Sequence, residues 1–185
     1  MGREFGLEAY LGMGPLVELA LDASPWGLGG VLIVGNHPVS FFSSQLTALD
    51  YQRFGFEPGS PNGQQCWECL CALVALRHYH VRWLRSRIRL MVRGDSYCML
   101  SLLLKLRPPT FSPSLGLVAR ELALDISEAV YTPDIATHVP GMSNVFPDVL
   151  SREHEPGKRF VLPDALLHVS REYVPDRGDS FYRTL

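Results

Sequence analysis

Between residues 16 and 22 apolar and polar positions alternate. Val17, Leu19 and Leu21 face one way and Glu18, Ala20 and Asp22 the other, which is the period of a β-strand. Ser24-Pro25-Trp26-Gly27 then reads as a tight turn, and residues 28–34 as a second strand weakened by Gly29-Gly30. Gly35-Asn36-His37-Pro38 turns the chain into a third strand at 39–43, completing an antiparallel meander. Residues 50–65, rich in Gly and Pro, predict a loop, and 64–80, free of both, a helix. Alternating Arg and apolar residues at 85–93 predict a strand. Helices follow at 96–106 (stopped by Pro108-Pro109) and 114–130, then a strand at 132–139 and a short helix at 143–152. The order is β-β-β-α-β-α-α-β-α. It describes one α/β domain over 15–155, between a loose leader at 1–14 and an extended, partly docked tail at 156–185.

Composition narrows the class. An apolar fraction of 46% with 19% charged residues excludes a disordered or fibrous chain. With 17 basic against 19 acidic residues the net charge is −2, which excludes a whole-surface electrostatic grip on nucleic acid but leaves a local patch open. No apolar run approaches the length of a membrane span, and the N-terminus has no signal-peptide core. Cys66, Cys69, Cys71 and Cys98 are too few and too clustered for a secreted disulfide framework. The expected location is a reducing intracellular compartment, cytoplasm and nucleus fitting equally.

Four carboxylates stand out. Glu68 is the only charged residue between Cys66 and Leu76, and its helical neighbours Gln64, Gln65, Cys71 and Ala72 include no base. Buried, it would cost several kcal/mol or protonate unless a cation met it; at a solvent-facing edge near the helix start it would be unremarkable. Asp22 ends the first strand, Asp95 stands between a strand and a helix where an N-cap role competes, and Asp148 lies in a helical pattern after Pro147. A single mixed sheet would bring such strand ends and helix starts to one edge. Carboxylates gathered there repel and raise one another's pKa unless cations intervene, and an all-oxygen set suits Mg²⁺ or Mn²⁺. Two such ions form the usual clamp for displacement at a phosphodiester.

At these residues the chain resembles a type I ribonuclease H domain of the kind attached to reverse transcriptases of LTR-type retrotransposons. The resemblance rests on Leu21-Asp22-Ala23-Ser24 with Gly27, Gly29 and Gly30, and on Gln65-Cys66-Trp67-Glu68-Cys69-Leu70. It continues through Gly94-Asp95-Ser96 and His138-Val139-Pro140-Gly141 to Asn144 and Asp148-Val149-Leu150-Ser151-Arg152, covering residues 16–155. It implies a ribonuclease H-like fold with a five-stranded mixed sheet, three antiparallel strands then parallel ones, flanked by helices. It also implies hydrolysis of the RNA strand of RNA/DNA hybrids with two Mg²⁺ ions. Asp22 would bridge both ions, Asp148 would help hold the one at the attacking water, and Glu68 and Asp95 the one at the leaving oxygen. His138, on a mobile loop, would assist proton transfer or product departure. The implied partner besides the hybrid is a polymerase domain of a parent polyprotein, since this chain has no Tyr-x-Asp-Asp stretch. Where such enzymes carry a basic handle for the hybrid, Pro108-Pro109-Thr110-Phe111-Ser112-Pro113 has no basic residue. The competing reading is therefore an inactive nucleic-acid-binding or scaffolding domain dependent on an attached polymerase.

Arg77, Arg82, Arg85, Arg87, Arg89 and Arg93 form a run without an acid. Of these, Arg85, Arg87 and Arg89, together with Ser96 and Asn144, are candidate nucleic-acid contacts; a solvated strand face and helix end is the competing account. Cys66-x-x-Cys69 lacks a properly spaced second ligand pair and reads as core rather than as a zinc or redox site.

Overall fold

The structure is a computed structural model, described here for residues 14–83, 88–107, 112–127 and 135–183. Strands β1 (Leu16–Ala23), β2 (Gly27–Val34) and β3 (His37–Gln45) form the predicted meander, and β4 (Arg89–Gly94) and β5 (Ile135–His138) extend the sheet. Helices are α1 (Ala48–Phe54), α2 (Gln64–Tyr79), α3 (Tyr97–Lys105), α4 (Pro113–Ser127) and α5 (Val145–Ser151). The sheet order is β5-β4-β1-β2-β3-β6, where β6 is Ser170–Glu172. β1 pairs antiparallel with β2 and parallel with β4, and β4 is parallel to β5.

The two faces of β1 meet different layers. Val17, Leu19, Leu21 and Ala23 enter the main core with α2, α3 and α4, while Ala20 joins a smaller cluster with Val31, Phe41, Leu150 and Leu166. α2 is apolar nearly all round because it is wrapped on all sides, with Trp67, Leu70, Leu73 and Leu76 fully buried. On the other face α5 lies so close to β2 that a Cβ at Gly29 would stand 2.6 Å from Ser151 N and overlap Pro147 O. Gly29 thus marks a close backbone approach, the price being a strand residue with no side chain to pack.

The structure departs from expectation in two elements. The sheet has six strands rather than five, because three residues of the C-terminal segment pair in parallel with β3 through Ser40↔Ser170 to Phe42↔Glu172. α1 overlaps the start of the expected loop at 50–65. A capping box fixes its start: Thr47 Oγ1 accepts from Asp50 N, and Asp50 Oδ2 accepts from Thr47 N at 2.8 Å. Gly55 in the left-handed region ends it.

The C-terminal segment ties back to the body through buried charge. Arg177 donates from Nε and Nη2 to the fully buried Asp50 carboxylate, with Nη2 to Oδ2 at 2.8 Å, and its Nη1 reaches Ser44 Oγ at 2.8 Å. Arg77 links Glu121 at 2.6 Å and Asp125 at 2.8 Å on α4, and Arg183 also meets Asp125.

Candidate metal centre

Asp22, Glu68 and Asp95 each offer one carboxylate oxygen within 4.8 Å of the other two. Three unrelated elements bring them there. β1 and β4 run parallel, so Asp22 near the end of one and Asp95 just beyond the other leave the same edge of the sheet. Glu68 comes from the second turn of α2, which crosses the β1 end from the core side. Ser96 is the N-cap of α3, its Oγ accepting from Met99 N at 3.3 Å, so the cap duty predicted as a rival use of Asp95 falls to its neighbour.

Asp22 and Glu68 are both 5% exposed. Asp22 Oδ2 accepts from Ser151 Oγ at 2.8 Å. Glu68 Oε1 accepts from Gln64 Nε2 at 2.7 Å, and the same amide donates to Ala23 O at 2.6 Å, fixing the helix start against the strand end. Glu68 Oε2 is buried with no hydrogen-bond partner. Burial pushes the Asp22 carboxyl up to about 7; Ser151 offsets part of this, while the charges of Asp95 and Asp148 add to it. Burial also drives Glu68 well above the ordinary glutamate range, with the Asp22 charge next in weight. Two desolvated acids, an orphaned oxygen and an all-oxygen donor set are what a hard divalent cation would satisfy.

Asp148, the fourth predicted ligand, stands apart from this trio. It lies in the first turn of α5, and its Oδ1 accepts from Arg152 Nε at 2.7 Å one turn on, an i, i+4 pair that keeps its carboxylate at the rim. It is nonetheless near enough to add to the charge felt by Asp22. His138 is the last residue of β5 rather than a loop residue. It is opposite Gly94 in the parallel ladder, Val139 N donates to Gly94 O at 3.0 Å, and its exposed ring stacks on Tyr97. The following turn comes close to Asp95, for a Cβ at Gly141 would lie 3.0 Å from Asp95 Oδ2.

The predicted nucleic-acid contacts spread further. Asn144 is buried, and its Nδ2 donates to Leu21 O at 2.8 Å, pinning the start of α5 beside Asp22. Arg89 is at the opposite end of β4 from Asp95, about 20 Å along the strand. Arg85 and Arg87 lie outside the described residues. Arg77, Arg82 and Arg93 from the same run meet Asp125, Glu172 and Glu18. The contributions of Ser151 and Gln64 to the centre went unpredicted; Gln64 had a legible signal, its position one helical turn before Glu68.

No protein-family model and no curated protein sequence matches the chain. Solved structures do. Ribonuclease H1 of the halophilic archaeon Halobacterium salinarum is similar at TM-score 0.55 and 19% identity, covering 75% of this chain and 96% of that one. A ribonuclease H1 isolated from compost by a metagenomic approach is similar at 0.51 and 17%, covering 76% and 94%. The N-terminal ribonuclease H domain of a Mycobacterium tuberculosis protein is similar at 0.55 and 14%, also covering 76% and 94%. The mixed sheet with its flanking helices accordingly has the ribonuclease H-like fold, with a sixth strand, β6, at its edge.

Proposed function

We propose that the chain is a divalent-metal-dependent endonuclease that cuts the RNA strand of RNA/DNA hybrids. The observation that carries this reading is the trio of buried Asp22, buried Glu68 and half-buried Asp95, with the unpartnered Glu68 Oε2, at the sheet edge where the fold's parallel strands end. Mg²⁺ is the ion this oxygen set suits, with Mn²⁺ as a substitute. Asp22, Glu68 and Asp95 would hold one ion, and Asp22 together with Asp148, once free of Arg152, would help hold a second. The chemistry the ions supply when bound is charge neutralisation at the phosphodiester and acidification of the attacking water. Ser151 and Gln64 orient the two buried carboxylates, Asn144 holds α5 in place, and His138 assists proton transfer or product departure from the rim.

The substrate grip is the weak part of the chain taken alone. From residue 106 to 112, between α3 and α4, the sequence offers only Arg107 as a base. We place the chain as the ribonuclease H part of a retrotransposon reverse transcriptase, or a fragment derived from one, acting inside cells with a polymerase domain that holds the hybrid. Among the described residues no helix is long and apolar enough to cross a membrane.

The test offers purified protein an RNA/DNA hybrid, duplex DNA and duplex RNA, each labelled, with Mg²⁺ or with EDTA. The proposal requires cutting of the hybrid's RNA strand, its loss in EDTA, and its loss in Asp22→Asn. Equal cutting of duplex DNA, or activity undiminished by the chelator, would overturn it. Hybrid binding without cutting, at saturating Mg²⁺ and with a polymerase domain supplied, would favour the scaffolding reading instead.

A further inference from the structure

Tyr97 is a large aromatic residue left 73% exposed at the first position of α3, two residues after Asp95. Water does not hold such a ring in place, yet it lies parallel to the His138 imidazole, centroids 4.2 Å apart and planes 9° from coplanar. The two rings come from different elements, the start of α3 and the end of β5. Both elements are registered by β4, since Gly94 faces His138 in the ladder and leads through Asp95 into α3. The backbone of His138 is thus pinned by the strand, and the Tyr97 ring is its only ring-stacking partner among the described residues. A flat ring on one face of an imidazole leaves both ring nitrogens open at the edge and restricts rotation about the side-chain bonds.

We infer that Tyr97 is a positioning residue that holds the His138 imidazole in a fixed orientation at the rim of the carboxylate trio. The inference rests on the role proposed above for His138, and it makes the histidine a pre-set group rather than one carried on a swinging loop. Pre-setting stabilises the productive orientation without touching substrate, so its loss lowers turnover and leaves binding alone.

Two measurements decide it. Steady-state kinetics on a labelled hybrid with Mg²⁺ should show Tyr97→Ala lowering kcat by about two- to tenfold, the range a stacked pair commands, with KM unchanged. Tyr97→Phe, which keeps the ring, should restore wild-type turnover, and Tyr97→Ala should cost nothing more when added to His138→Ala. Proton NMR of the His138 ring should show resonances displaced by the tyrosine ring current in wild type and in Tyr97→Phe, and relieved of it in Tyr97→Ala. Unchanged His138 resonances in Tyr97→Ala, an additive loss on His138→Ala, or a raised KM at constant kcat would overturn the inference. The last of these would place Tyr97 against the nucleic acid. The spectra need no turnover, so a wild-type chain unable to cut hybrid would refute the proposed function while the stack was still judged by the NMR arm.

Discussion

Replacing Asp22 with Asn should make the metal-free protein more stable, and the gain should depend on pH. Burial raises the Asp22 carboxyl from 3.8 to about 7. Between those values the folded state keeps a proton that the unfolded chain has released, so stability falls as pH rises through this window. At one pKa unit per 1.36 kcal/mol, the ionised carboxylate costs the folded state roughly 4 kcal/mol by pH 8. Asn keeps the side chain's shape and still accepts from Ser151 Oγ through its amide oxygen, but carries no charge. For a chain of this size the gain corresponds to a Tm higher by roughly 8–16 °C. The assay is thermal unfolding by circular dichroism in EDTA. Asp22→Asn should melt well above wild type at pH 8 and close to it below pH 4, where both side chains are neutral. Adding Mg²⁺ at pH 8 should raise the wild-type Tm and leave that of Asp22→Asn unmoved. An Asp22→Asn protein no more stable than wild type at pH 8 would refute the burial argument, as would an equal gain at both pH values.

Glu68→Gln should also raise the Tm at pH 8 in EDTA, since it removes a poorly paired buried charge; an unchanged or lowered Tm would count against this. Gly29→Ala forces a Cβ into the α5 backbone, and denaturant unfolding should report a loss of about 1–3 kcal/mol together with weakened hybrid cleavage as Ser151 and Asp148 shift. Asp50→Ala leaves Arg177 buried without its partner, and urea unfolding should show a loss of about 3–5 kcal/mol.

The sequence was most legible where local pattern and packing agree. Alternation along β1 set both its core face and the position of Asp22, and a Gly- and Pro-free apolar run located α2 and its isolated acid. Elements that depend on distant partners were hidden. α1 is a single short helix whose third residue, Asp50, is neutralised by Arg177 from the far end of the chain. β6 has three residues and no alternation of its own; it is a strand because β3 offers it an edge. The arginine run shows the same blindness in charge. It reads as an uncompensated stripe because Glu121 and Asp125, which take Arg77 into a buried network, are more than forty residues away. Within the site, the ordered carboxylates were visible as a set, but the i, i+4 pairing of Asp148 with Arg152, outside the trio, was not.

If Asp22, Glu68 and Asp95 form one cation-holding pocket, the protein binds Mg²⁺ through them. Calorimetric titration of Mg²⁺ into the protein at neutral pH reads this binding. Wild type should show saturable binding that is lost in Asp22→Asn and sharply weakened in Glu68→Gln. Binding of equal strength in all three proteins would mean that these carboxylates do not share an ion.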